Sequence, residues 1–596
     1  MPNLVLPIAT FLSLLLAIVL IGLLANKKIL QQTQLQIGTP SLTLFLAAST
    51  GYVCFSLLLF LLGLINCLTP LGITASLTIL FALLFDRSLL QLGSLLRQYG
   101  RLELGLILLA LACFLLLPAR ASGHSDDTMY HLPLALGYAH HAGLYINPYI
   151  RFPLFPQFSE LLMSTGFIFL DKEQGALVAQ SWMAMPVFIM WLGVMGLLDG
   201  KTASKWPGFI TLTMLGVLAP LKHTLGYAYI DQILALYCFA MSAAFICLFN
   251  SKQLNKRWYQ LAALYAGAAI GTKYFGVVYV AAAYLSILLM GRDLRSVLGS
   301  GVLSLAVGGG WYLRAFFISG DPIHPAGGNI FGYYLWNAQD LLAQKAEQAT
   351  YGTHRALQYM PSAIVKAGMK SMLLIPCTLY RWPRLNKGER AALLSITLYF
   401  LFWFFITQVD RYLAPISGIG IYLLCLMAAD IAAWLRLRLA GKPGFTPRNW
   451  QWIGKLLMIA VLVNLVHKTA LQVRDQYLEW QQILDSRTGH DLFAFANTQT
   501  VKYGPSLVNV GFEVLTFYFN GMVYGQAFGP GRYDQLMHCN TNHCWLINAE
   551  AMKLYLKNHN SKLLIIHNGE ISDRPEYDRL FTTLYQSRNG MVLALK

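Results

Sequence analysis

Two aspartates stand side by side in Ser125-Asp126-Asp127-Thr128-Met129-Tyr130-His131-Leu132-Pro133, just past the apolar run Leu102 to Pro118. Carboxylates beside a lipid-facing segment are energetically expensive, so such groups mark proton transfer, ion binding or a substrate path. Helix capping accounts for one of them but hardly for both. Three cations are equally out of place: Lys273 in Gly271-Thr272-Lys273-Tyr274-Phe275-Gly276, Arg314 in Trp311-Tyr312-Leu313-Arg314, and Arg411 in Asp410-Arg411-Tyr412. Ammonium and guanidinium groups match phosphate oxygens. Asp231 in Tyr229-Ile230-Asp231-Gln232 adds a carboxylate, and Gly320-Asp321-Pro322-Ile323-His324-Pro325 adds an imidazole. A carboxylate base beside phosphate-binding cations suits group transfer from a lipid phosphate. Simpler roles compete: an Asp410–Arg411 loop pair, Lys273 and Arg314 reaching to headgroups, and Asp231 as a helix cap. No pair with His124 or Asp126 has a known metal-ligand spacing. The sequence therefore requires no cofactor, although adjacent aspartates suit a divalent cation.

The elements that must position these groups are membrane helices. Of 596 residues, 56% are hydrophobic and only 12% charged, where a soluble domain carries roughly 25% charged residues. Apolar runs long enough to cross a core of about 30 Å number about fourteen. They fall near 4–25, 43–66, 70–85, 102–119, 174–198, 207–222, 226–250, 258–272, 275–290, 296–317, 362–380, 391–407, 412–434 and 453–470. The first run lacks a basic leader and a small-residue cleavage site, which predicts a retained span. The formal charge of +17 sits in alternate short loops, among them Lys27-Lys28, Lys201 with Lys205, and Arg436 with Arg438. That pattern points to a membrane surface rather than nucleic acid and places those loops in the cytoplasm. Residues 120–156 and 319–361 then form large outer loops, and both termini lie outside. Every unusual polar group named above falls on that outer side. Leu132 to Leu144 reads as a helix along the membrane surface, and Tyr145, Tyr149, Phe152, Phe155 and Phe158 supply interfacial aromatics.

Polarity rises after Val473, which divides the chain into a membrane domain, 1–472, and a soluble outer α/β domain, 473–596. Ser506 to Val510, Leu563 to His567 and Met591 to Leu595 read as strands; Ala549 to Lys557 and Tyr577 to Gln586 read as helices. Gly529-Pro530-Gly531 reads as a turn, not a phosphate loop. Seven of the nine cysteines lie in apolar spans and read as small core residues. Cys539 and Cys544 lie in the tail, where an outward-facing pair predicts a disulfide; with His538 and His543 they would alternatively make a zinc site.

The segments Asp126-Asp127-Thr128-Met129-Tyr130-His131-Leu132-Pro133, Gly271-Thr272-Lys273-Tyr274, and Trp311-Tyr312-Leu313-Arg314 with Gly320-Asp321-Pro322-Ile323-His324-Pro325, in that order, resemble the GT-C superfamily of integral membrane glycosyltransferases. The nearest group is the bacterial one related to protein mannosyltransferases and aminoarabinose transferases. The resemblance spans most of residues 100–415. It implies a GT-C fold and a sugar donor carried on a polyprenyl phosphate or diphosphate. It also implies a catalytic base in the first outer loop, at Asp126, and donor-phosphate contacts at Lys273 and Arg314. Many members have Asp-Glu where this chain has Asp-Asp, so Asp127 competes for the role of base.

The expected function is sugar transfer at the outer face of a bacterial inner membrane to a glycan, lipid or protein acceptor. Arg411 joins the phosphate-binding set, and Tyr130, His131, Asp231, Tyr274 and His324 form the substrate-binding set. A transporter or flippase would also use intramembrane charges, but these charges lie at one face and no inverted repeat is evident. A polysaccharide polymerase or ligase would use the same donors.

Overall fold

The computed structural model describes residues 3–596 apart from 124, 200, 202–223, 251–255, 352–354, 363–378, 380, 440–446, 479, 512, 526–527, 530–531, 533–535, 540–543, 567–570 and 572–573. The expected spans at 207–222 and most of 362–380 lie outside this set. Each other expected span is a helix. They run Val5–Leu30, Pro40–Leu64, Pro70–Leu84, Arg101–Leu116, Lys172–Leu198, Asp231–Asn250, Arg257–Ile270, Tyr274–Leu289, Leu294–Gly308 with Gly310–Ser319, Lys387–Ile406, Ser417–Leu439 and Pro447–Gln472. Among the described residues six helices are long and apolar enough to cross a membrane, or up to eight if two bent pairs each count as one. The chain is a polytopic α-helical membrane protein.

Two helices form the centre. Lys172–Leu198 and Asp231–Asn250 are apolar around nearly their whole circumference, so both are buried by neighbours on all sides. Trp182 meets Phe11 and Tyr52 edge to face, at centroid distances of 5.0 and 5.2 Å. The first two helices touch backbone to backbone. A side chain at Gly22 would strike the Ala47 carbonyl, and one at Gly51 the Ile18 carbonyl, which is how small residues hold membrane helices together. Leu294–Gly308 and Gly310–Ser319 are bent by 57° at Gly308-Gly309-Gly310. The bend turns Arg314 and the loop after Ser319 away from the line of the preceding helix.

The expected surface helix is Leu132–His141. Leu132, Leu134, Ala135 and Tyr138 are buried against protein, and the helix packs on a further short apolar helix, Phe158–Phe169.

After Gln472 the chain builds a small α/β unit. Its strands are β1 (Ser506–Val510), β2 (Met522–Tyr524), β3 (Met537–Cys539), β4 (Cys544–Leu546), β5 (Leu563–Ile566), β6 (Phe581–Ser587) and β7 (Gly590–Leu595). The main sheet has the order β2-β1-β5-β7-β6; β2, β1 and β5 are parallel, whereas β7 is antiparallel to both β5 and β6. Helix His490–Tyr503 covers one face through Leu492, Phe493 and Ala496, and Ala549–Asn558 covers the other through Met552 and Leu556. Burial on both faces explains why β1 and β5 are continuous apolar runs.

One expectation is corrected. Tyr577 to Gln586 is not a single helix: helix Arg574–Leu580 ends and β6 begins at Phe581. Phe581 points inward while Thr582 and Thr583 lie exposed on the edge strand, where β-branched residues fit a pleated surface better than a helix. Cys539 and Cys544 are directly opposed in the β3–β4 ladder; their side chains, and His543, lie outside the described residues. Gly529 has a positive φ of 86°, and its carbonyl accepts from the Arg532 N–H at 3.2 Å, as a turn would. Pro530 and Gly531 lie outside the described set.

Candidate active site

The acidic pair opens a single π-helical turn, Asp127–His131. Pro133 has no N–H to give the preceding turn, which favours the widened ladder just before it. The turn sends the two carboxylates to different neighbours. Asp126 Oδ2 accepts from Tyr130 Oη at 2.7 Å and lies 2.6 Å from Arg411 Nη1. Its backbone N–H donates to Tyr229 Oη at 3.3 Å. Asp127 is fully buried, receives the Gly123 N–H at 3.4 Å, and lies close enough to Arg120 and Tyr518 to act on both electrostatically.

Burial alone would raise the Asp126 carboxyl. The Arg411 guanidinium, the nearby His131 and the hydrogen bonds from Tyr130 and Arg411 outweigh it and hold the group well below the usual carboxylate range. Arg411 in turn is flanked by Asp126, Tyr412 and Asp231. Its guanidinium lies 5.0 Å from the Tyr229 ring centroid.

A second ion pair adjoins the first. Lys273 Nζ lies 2.8 Å from Asp231 Oδ1, with the aspartate side chain only 2% exposed. The same ammonium sits 4.5 Å above the Tyr412 ring, and Arg411 approaches that ring from 5.5 Å. Tyr412 thus separates two cations, each held by its own carboxylate. The four groups come from the segment 120–156, the start of helix Asp231–Asn250, the junction before helix Tyr274–Leu289, and the turn Asp410–Ile416.

The remaining expected residues fall around this core. His131 is committed to Glu160, Nδ1 to Oε1 at 2.7 Å, with both side chains buried. Tyr274 Oη donates to the His324 carbonyl at 2.7 Å. The His324 ring is 2% exposed, and neither nitrogen has a partner among the described residues. Burial lowers that imidazole to about 4, so it is neutral at physiological pH. Arg314 Nη2 donates to the Tyr145 carbonyl at 3.2 Å, while its buried Nη1 has no partner among the described residues. Arg411 stands as the counter-ion of Asp126. His124 is outside the described residues. Among those described, no group of three or more His, Cys, Asp or Glu gathers as a metal would need.

Sequence reasoning missed Tyr229, Glu160 and Tyr412. Tyr229 and Tyr412 are neighbours of residues it singled out, and an aromatic beside a buried cation is a usable signal. Glu160 lies 29 residues from His131, and only the packing of Phe158–Phe169 brings it there. It also missed how closely the C-terminal unit grips the turn. Thr128 Oγ1 donates to the Val514 carbonyl at 2.6 Å. Tyr518 Oη donates to the Ser122 carbonyl, and Arg487 Nη2 to the Ala121 carbonyl at 3.0 Å.

A family model described as SF2091/S2213 matches residues 479–594. The Shigella flexneri uncharacterized protein SF2092/S2214 is 39% identical over 140 residues, which cover 24% of this chain and 76% of that protein. The chain belongs to the family of SF2092/S2214. A second S. flexneri relative of this SF2092/S2214-family chain, uncharacterized protein SF2093/S2215, is 42% identical over 124 residues, 21% of this chain and 60% of that protein. Among solved structures, ArnT from Cupriavidus metallidurans bound to undecaprenyl phosphate aligns with a TM-score of 0.51 at 15% identity, covering 82% of this chain and 96% of ArnT. The apo state of the same protein gives the same TM-score over 97% of its chain. At that identity the likeness is one of fold: this SF2092/S2214-family chain has the GT-C glycosyltransferase fold.

Proposed function

We propose that this chain is a membrane glycosyltransferase. It moves a sugar from a polyprenyl-phosphate-linked donor to a glycan, lipid or protein acceptor at the outer face of a bacterial inner membrane, with residues 473–596 as an extracytoplasmic domain over the membrane domain 1–472. The observation that carries this reading is the pair of adjoining ion pairs, Asp126–Arg411 and Lys273–Asp231, on either side of Tyr412. The ArnT structure with undecaprenyl phosphate, a neighbour in fold, supports a lipid-phosphate donor.

In this mechanism Asp126 is the general base. It is ionised, and its Oδ1 makes no hydrogen bond or ion pair with the described residues. As the acceptor oxygen attacks the anomeric carbon, its proton passes to Asp126 and the bond from that carbon to the phosphate oxygen breaks. The departing phosphate takes the electron pair, and Lys273 exchanges part of its contact with Asp231 for the phosphate oxygens. Arg314, with a spare buried donor, is the second phosphate contact. Arg411 holds the base ionised and in place instead of clamping the donor. Asp127 secures the turn from behind, and Tyr130, Tyr274 and His324 line the substrate side.

Three experiments test this. Asp126→Asn in the purified chain should abolish transfer without loss of folding; full activity would pass the role to Asp127. A deletion strain should accumulate a polyprenyl-linked sugar and carry a glycan short of one residue. Substrate flux in liposomes with no product formed would replace the transferase reading with a transporter.

A further inference from the structure

A cavity of about 570 Å³ lies between the helix Leu132–His141, the start of helix Lys172–Leu198 and the segment 516–523 of the C-terminal unit. Its size is that of a small-molecule site. It is continuous in chain with the catalytic turn: Asp127–His131 packs on Glu513–Tyr518, and the next residues of both segments become the cavity walls. Leu136 stands ten residues beyond Asp126, about 15 Å along a helix.

Its chemistry is specific. His141 and Tyr145 stack face to face, with centroids 3.7 Å apart and planes within 2°. Gly137 makes room for them, since a side chain there would press on the Tyr145 ring. His141 Nδ1 is fixed on the Gly137 carbonyl at 2.9 Å. Asn147 and Asn520 also line the space. Each uses its Oδ1 on protein, toward Tyr149 N–H and Lys172 Nζ, and the NH₂ of each makes no hydrogen bond with the described residues. Beside the imidazoles of His140 and His141, the only carboxylate and ammonium groups in the lining, among the described residues, are Asp171 and Lys172. They offset each other and are both engaged: Asp171 caps its helix at Gln174, and Lys172 holds the Phe519 carbonyl and Asn520. An aromatic platform, two amide donor groups and no net charge match an uncharged ligand with apolar C–H faces and many hydroxyls.

We propose that this cavity is an acceptor subsite for carbohydrate, holding sugar units of a glycan whose reactive hydroxyl reaches Asp126. The proposal rests on the transferase reading and narrows its acceptor from glycan, lipid or protein to glycan. It also makes the C-terminal unit half of the acceptor site.

The test uses the full-length chain in detergent and two probes. One is undecaprenyl phosphate. The other is lipid-free polysaccharide released by mild acid from a strain deleted for this protein. The wild type should bind both. Gly137→Val, which presses on the Tyr145 ring of the platform, and His141→Ala, which removes half of the platform, should each weaken polysaccharide binding about tenfold, the scale of one lost aromatic contact. Undecaprenyl phosphate binding should stay unchanged in both variants and reports their folding. Polysaccharide affinity unchanged in both folded variants overturns the subsite. A wild type that binds undecaprenyl phosphate but not the polysaccharide overturns the subsite alone; one that binds neither overturns the transferase reading with it. p-Benzoylphenylalanine in place of Leu136 adds an independent measurement in membranes: a crosslinked carbohydrate supports the subsite, and a crosslinked peptide or lipid refutes it.

Discussion

Asp126, the proposed base, is a carboxylate whose ionisation does not depend on working pH. Its carboxyl is held below the usual range by Arg411 against the opposing effect of burial. The associated stabilisation is fully present above the unfolded carboxylate value of about 3.9 and is lost as the pH falls below it. Transfer should therefore show no acid limb from Asp126 between about pH 5 and 8. Arg411→Met leaves burial unopposed by the guanidinium; the carboxyl rises, and an acid limb should enter the pH–rate profile. An unchanged profile would separate Arg411 from the base. Asp126→Asn should lower kcat by roughly 10²–10⁴-fold, the usual worth of a positioned base. The acidic pair was readable in the sequence because two carboxylates beside a span have few structural uses. Their division of labour was not readable, since it depends on the π-helical turn and on Arg411, which is 285 residues away by chain numbering.

Elements explain which roles were legible. Apolar length alone located the described helices of the membrane domain, because lipid demands self-satisfied helices and few other sequences supply them. The tail was harder. Tyr577 to Gln586 has apolar spacing that suits a helix, yet Thr582 and Thr583 turn it into an edge strand once β7 is beside it. Ion-pair partners were the least legible, because Asp231 and Lys273 meet only when their helices pack. Lys273→Met strands the Asp231 carboxylate at 2% exposure and should lower stability by about 3–5 kcal/mol, read as Tm in detergent. Adding Asp231→Asn should restore most of that stability but not donor binding or transfer. Recovery of activity along with Tm would make the pair purely structural.

At the scale of the whole molecule, the loops 120–156 and 319–361 and the C-terminal unit are clasped together. Arg532 Nη2 lies 2.8 Å from Asp340 Oδ2, both side chains largely buried, and Trp336 packs on Phe528 with centroids 4.8 Å apart. Arg151 pairs with Glu347, which ties the loop 120–156 to the loop 319–361. Arg532→Leu leaves the Asp340 carboxylate buried without its guanidinium. Helix Ala338–Ala349 should then be cut faster in limited proteolysis, with the membrane helices unaffected. Equal cleavage rates in variant and wild type would show that the clasp is not what holds this helix.

The hydrogen bond from Thr128 to Val514 joins residues 386 positions apart. A ribosome adding roughly 5–20 residues per second needs roughly 20–80 s to cover that interval. For that time each nascent chain carries its acidic pair without the segment that braces it. The brace on this turn is thus acquired late in synthesis, and a chain stalled before Val514 is a membrane protein whose acidic pair is in place but unsupported.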